Sequence, residues 1–161
     1  MFYDNNNLAS ITIGSGVTTI SESAFYSCGQ SEEVTETVVT MGSNVTSIGI
    51  NAFHDCPKLK SIALPSTLTT IGNEAFCNTG LTSISIPASV MTIGNAVFQD
   101  CGSLTSITIE DSETPLTMSG SWYERPFWSP ATTIYIGRNL TLTGEGVNPL
   151  TYDVTSVEFG P

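Results

Sequence analysis

The chain has 161 residues, 12% of them charged, and a net charge of −11. That length suits one domain. Its four cations, Lys58, Lys60, Arg125 and Arg138, are too few for the basic stripe of a nucleic-acid binder or a polybasic membrane anchor. No stretch approaches the roughly 18 apolar residues of a membrane span, so no membrane insertion is expected within this segment. No secretory leader pattern is present.

The first element begins at Leu8-x-x-Ile11-x-Ile13, where β-branched residues alternate with small polar ones, as in a half-buried strand. A turn at Gly14-Ser15-Gly16 follows, then a second short extended piece, Val17-Thr18-Thr19-Ile20, then a compact segment carrying Ala24-Phe25. The same order returns. Leu59-x-x-Ile62-x-Leu64-x-x-x-Leu68-x-x-Ile71-x-x-x-Ala75-Phe76 precedes Leu81-x-x-Ile84-x-Ile86-x-x-x-Val90-x-x-Ile93-x-x-x-Val97-Phe98, and Leu104-x-x-Ile107-x-Ile109 opens another copy. Later strands are expected at Ile134-Tyr135-Ile136 and Val157-Glu158-Phe159. A period of about 23 residues, each unit too small to bury its own apolar face, predicts a stacked solenoid. Seven parallel strands are expected, centred on Thr12, Thr40, Ala63, Ser85, Thr108, Tyr135 and Glu158, with the isoleucines inward. Gly72-Asn73 and Gly94-Asn95 are expected to start a single helical turn, and Phe25, Phe53, Phe76 and Phe98 to stack as a buried spine.

The pattern C-x-x-L-x-x-I-x-I-P-x-x-V-x-x-I-G-x-x-A-F resembles the leucine-rich repeats of the Treponema pallidum/BspA-like type, over nearly the whole chain. The resemblance implies a mainly β, right-handed solenoid with a concave parallel sheet and short helical turns on the convex side. It also implies a bacterial surface or secreted protein, adhesin-like, that binds proteins such as host extracellular-matrix proteins. The family has no shared catalytic residues, and the chain is read as a non-enzyme with no cofactor. Phe2-Tyr3-Asp4-Asn5 matches the sequel of Phe25, and the last residues fall inside a strand. Residues 1–161 are therefore read as one leucine-rich-repeat domain excerpted from a longer protein.

The period breaks twice. Residues 29–36 add five residues between Ile13 and Met41, and 110–130 loses the Ala-Phe signature while gaining both tryptophans. Insertions in repeat proteins map to surface loops, often binding ones. Trp122, Tyr123, Arg125, Phe127 and Trp128, with Tyr135 on the next strand, are the candidate ligand contacts, since aromatics with an Arg compose interface hot spots. The competing reading puts Trp122 or Phe127 in the core, in place of the missing repeat Phe. Two alternative functions stay open: a spacer segment, and a carbohydrate-binding module stacking sugars on Trp122, Tyr123 and Trp128.

Cys28, Cys56 and Cys101 share one repeat position, with Thr79 in the intervening copy, so a buried column of reduced thiols is expected. Cys77 directly follows Phe76 and is expected to face solvent as the one reactive thiol. His54 is the only histidine, so no metal site is expected. No nucleophile elbow, phosphate loop or dinucleotide fingerprint is present.

Overall fold

The computed structural model describes residues 2–120, 127, 133–144 and 155–160. Each coil has three sides. The first carries β1 (Ser10–Thr12), β3 (Val38–Thr40), β6 (Ser83–Ile86), β8 (Ser106–Ile109), β10 (Thr133–Ile136) and β12 (Ser156–Phe159). The second carries β2 (Thr19–Ile20), β4 (Ser47–Ile48), β5 (Thr70–Ile71), β7 (Thr92–Ile93), β9 (Leu116–Ser119) and β11 (Leu140–Thr143). Every pairing on both sides is parallel. The chain is thus a mainly β solenoid of stacked parallel strands.

Register follows the repeat. Ile84, Ile107, Ile134 and Val157 lie in one row, and Ile48, Ile71, Ile93 and Met118 in another. Since side chains alternate across a strand, one set of β-branched residues fills the interior while its neighbours face out. Ile84, Ile86, Ile107, Ile109, Ile134 and Ile136 are all buried. Phe159, expected inward, is 75% exposed, because no described residue covers that side of β12. The third expected strand is also reduced. Ile62 makes an isolated parallel bridge to Val39, and the first side divides there into a two-stranded and a four-stranded sheet. Ala63 is a weak strand former, and Pro65 ends the extended run.

The third side corrects an expectation. It contains no helix among the described residues. Ser23 and Ser27 flank Phe25 with φ of 52° and 57°, Asn51 and Asp55 flank Phe53 at 56° and 58°, and Glu74 and Asn78 flank Phe76 at 54° and 52°. Left-handed residues at every second or fourth position break a right-handed helical turn. Backbone N–H groups instead reach the adjacent coil: Ser23 to Ile50, Phe25 to Ala52, and Ser27 to His54, each at 2.8–2.9 Å. Asn51, Phe53 and Asp55 donate in the same way to Asn73, Ala75 and Cys77.

The coils approach closely at the corner leading into this side. A Cβ on Gly72 would sit 2.7 Å from the Ile50 nitrogen, so that position admits only glycine without a backbone shift. Inside, the phenylalanines stack as expected. Centroids are 5.3 Å apart for Phe25–Phe53, 5.5 Å for Phe53–Phe76 and 5.7 Å for Phe76–Phe98, with planes within 12°.

Candidate functional site

Of the sequence-derived contact residues, Trp122, Tyr123, Arg125 and Trp128 lie outside the described residues. Phe127 is corrected: it is fully buried and stacks on Phe98 at 5.8 Å, continuing the spine. Tyr135 sits on β10 with its ring on the outward face, half-buried, and its hydroxyl donates to Asp111 Oδ1 at 2.7 Å. That hydrogen bond, with the charges of Asp111 and Glu158, holds the phenol above its ordinary pKa.

Tyr135 belongs to a face of small side chains. Ser10, Thr12, Thr40, Ser61, Ala63, Ser83 and Ser85 are exposed along it, with Val38 53% exposed among them. Where the sheet divides, a shallow hollow of about 440 Å³ opens between Val38, Ser61, Ala63, Ser83 and Ser85. Glu110 borders the same face. Its carboxylate accepts from Ser85 Oγ at 2.9 Å and from the Ala88 backbone N–H at 3.2 Å.

Arg138 holds the coils beside Tyr135. The residue is 7% exposed, and its guanidinium donates to the carbonyls of Ala88 and Val90 at 2.8 Å and of Pro87 at 2.9 Å. Burial lowers its pKa and Glu110 partly offsets this, yet an arginine stays charged. The cation ties the turn of one coil to the strand end of a coil 50 residues later.

The thiol column is as expected for three members. Cys28, Cys56 and Cys101 are buried and free. Each donates to the carbonyl of a phenylalanine in the neighbouring coil, Phe2, Phe25 and Phe76, at 2.9–3.1 Å. Thr79 takes the vacant place and contacts Cys101 Sγ at 3.2 Å. Cys77 is corrected: it is 6% exposed, and burial, reinforced by Asp100, Cys101, Glu74 and Asp55, pushes its pKa up to about 12. The position after Phe does not point to open solvent. It stacks coil upon coil into a second column: Tyr3 on Tyr26 at 5.0 Å, Tyr26 on His54 at 4.9 Å.

Residues 54 and 77 occupy successive places in that column, which brings together groups the sequence reading kept apart. The donor atoms of His54, Glu74 and Cys77 lie within 4.8 Å of one another. His54 Nε2 is 3.4 Å from Glu74 Oε2, and Nδ1 is 3.2 Å from Asp55 Oδ2. They line an open hollow of about 470 Å³ with Asn78, Gln99 and Asp100. The available signal was the repeat register: His54 and Cys77 both follow a spine phenylalanine.

Parallel coils, a buried aromatic spine and a small-residue outer face define a leucine-rich-repeat solenoid. The chain belongs to the BspA type leucine rich repeat region family, whose sequence model matches residues 1–37 and 35–123 in six copies. A leucine-rich repeat protein from Bacteroides ovatus shares the fold at 20% identity and a TM-score of 0.51, covering 94% of this chain and 55% of that one. The T. pallidum leucine rich repeat protein shares it at 18% identity and a TM-score of 0.55, covering 76% of this chain and 78% of that one. The chain thus spans little more than half the length of the B. ovatus protein. No curated protein matches the sequence. No helix among the described residues is long and apolar enough to cross a membrane.

Proposed function

We propose that this chain is a protein-binding segment of a bacterial surface or secreted protein, adhesin-like, rather than an enzyme. The observation that carries the reading is the outward face of the first side. Small hydroxyls there leave the sheet open to an approaching chain, and the exposed Val38 with the hollow beside it gives an apolar foothold. Each small contact is weak, so affinity rests on repetition and on a few large anchors. Tyr135 is one anchor, and Trp122, Tyr123, Arg125 and Trp128 have the hot-spot composition for others. Host extracellular-matrix proteins are the proposed partners, following the family resemblance.

The test is a pull-down on immobilised matrix proteins. Tyr135→Ala, and separately Trp122, Tyr123 and Trp128 together to Ala, should each weaken binding about tenfold or more at an unchanged melting temperature. Binding untouched by either change refutes these anchors. No binding by the unaltered chain leaves the spacer role as the better account. Retention on a glycan surface instead favours carbohydrate binding.

A further inference from the structure

We propose that His54, Glu74 and Cys77 form a binding site for a zinc-class divalent cation on the third side of the solenoid. Three observations support it, and none depends on the binding role above. The ligand types suit the metal: imidazole, carboxylate and thiolate together favour zinc-like ions over calcium or magnesium. The geometry suits it too. Bonds of about 2.0–2.1 Å at a tetrahedral angle place two N or O donors about 3.4 Å apart, and His54 Nε2 and Glu74 Oε2 are 3.4 Å apart. With a Zn–S bond of about 2.3 Å, the sulfur belongs about 3.5 Å from the other two. All three donors already lie within 4.8 Å, and the Glu74 side chain, 47% exposed, has room to adjust.

The third observation is the setting of the imidazole. His54 Nδ1 is buried with no well-aligned hydrogen bond, while Asp55 Oδ2 lies 3.2 Å from it. Asp55 is itself fixed, since its Oδ1 accepts from Asn78 Nδ2 at 2.7 Å. A carboxylate behind one ring nitrogen is the usual support for a histidine that ligates through the other. Ligation by Nε2 would leave Nδ1 carrying the proton, and a small rotation would aim it at Asp55. Binding releases the Cys77 thiol proton to water. The fourth position opens into the hollow and takes a water.

The site is assembled by stacking. His54 comes from one coil, and Glu74 and Cys77 from the next, so a bound cation pins two coils together. It forms only in the folded state, which makes its binding a gain in folding stability.

Cobalt(II) is the probe, added to the reduced full chain. The expected result is one equivalent bound, with a thiolate-to-cobalt charge-transfer band and ligand-field bands of tetrahedral intensity, both displaced by zinc and untouched by calcium. Cys77→Ser should abolish the charge-transfer band, His54→Gln and Glu74→Gln should each weaken binding at least tenfold, and Cys101→Ser should leave the band in place. A band that survives Cys77→Ser, or no saturable cobalt signal, overturns the site. Should Cys77→Ser prevent folding, the unaltered chain decides. Zinc should slow alkylation of Cys77, located by peptide mass, at least tenfold, and unchanged alkylation overturns the proposal.

Discussion

Residues 59–98 and residues 104–138 build the same coil from very different sequences. The first stretch repeats its apolar, Gly and Pro positions without a gap, whereas the second abandons the pattern after Ile109. The interior hardly registers the change. Met118 takes the row of Ile93, Leu116 is fully buried, and Phe127 stacks on Phe98 as Phe98 stacks on Phe76. The coil therefore requires volume at particular columns, not particular residues at particular intervals. Entering its second strand the irregular coil differs: Leu116 N–H donates to Asn139 O of the following coil at 2.9 Å, where Val90 N–H closes on Pro87 O of its own turn at 3.0 Å, and two charged groups bind this region. Glu110 holds the preceding strand and turn from the outer face, and Arg138 reaches back from the following coil to the same Pro87–Val90 turn. The regular coils are tied by neutral side-chain bonds such as Thr67 to Ser43 O and Thr69 to Thr46 O, and the charged clamp joins the last of them to the coils beyond the break.

The largest effects should come from the spine. Phe76→Ala in the regular stretch should cost about 3–5 kcal/mol in chemical denaturation, the usual loss for emptying a buried ring site. Phe127→Ala should cost about as much. A loss under about 1 kcal/mol for Phe127 alone would show that the irregular coil does not share the core.

Arg138 is the next lever. Replacing it with Ala takes a charged donor from three carbonyls, of which Pro87 O keeps the Val90 N–H, for an expected loss of about 3 kcal/mol. Arg138→Lys should recover only part of this, because an ammonium cannot reproduce the planar fork. Equal stability of the Lys variant and the unaltered chain would remove the clamp from the comparison.

The regular coils were legible because stacking converts one position into a column, so Ile, Phe and Cys could be assigned together. The misses fall where a residue is read outside its column. Taken alone after Phe76, Cys77 reads as solvent-facing, although Tyr26, His54 and Gln99 occupy the same position in other coils. Aligning them puts His54 against Cys77 without any structure. Phe127 reads both as core and as ligand contact, because the local pattern around it gives no register. The left-handed residues carry a signal at one of their two positions: two after the spine phenylalanine stand Asp4, Asp55, Asn78 and Asp100, types that tolerate positive φ, whereas Ser23, Glu74 and Ala96 two before it are not, and there backbone bonds to the next coil override their preference.

Smaller effects concern the thiols. Cys56 and Cys77 are both raised from 9.0 to about 12, chiefly by burial. Their contribution to stability is fully present below about pH 9, where the unfolded thiols are still protonated, and is lost as the pH climbs toward 12. Denaturation midpoints should therefore fall between pH 9 and pH 11, and Cys56→Ala should flatten that slope; a slope unchanged by the substitution would contradict the assignment. In native conditions and without added metal, Cys77 should react with a thiol reagent about as slowly as Cys28, Cys56 and Cys101. Selective fast labelling of Cys77 would place it back at the surface.

The backbone bonds of the third side have a direction. From Phe2 and Asp4 through Ser23, Phe25 and Ser27 to Glu74, Phe76 and Asn78, the N–H always belongs to the earlier coil and the carbonyl to the later one. Strand ladders on the other two sides alternate their donors and largely cancel, but these peptide dipoles add along the solenoid axis. The molecule is consequently an electrical arrow. Each described coil presents carbonyl oxygens toward lower numbers and N–H groups toward higher ones on this side, so a coil of the same kind stacks on it only if it points the same way. Reversed stacking would set carbonyl against carbonyl. Growth by duplication of whole repeats satisfies that polarity automatically, and an inverted copy could not.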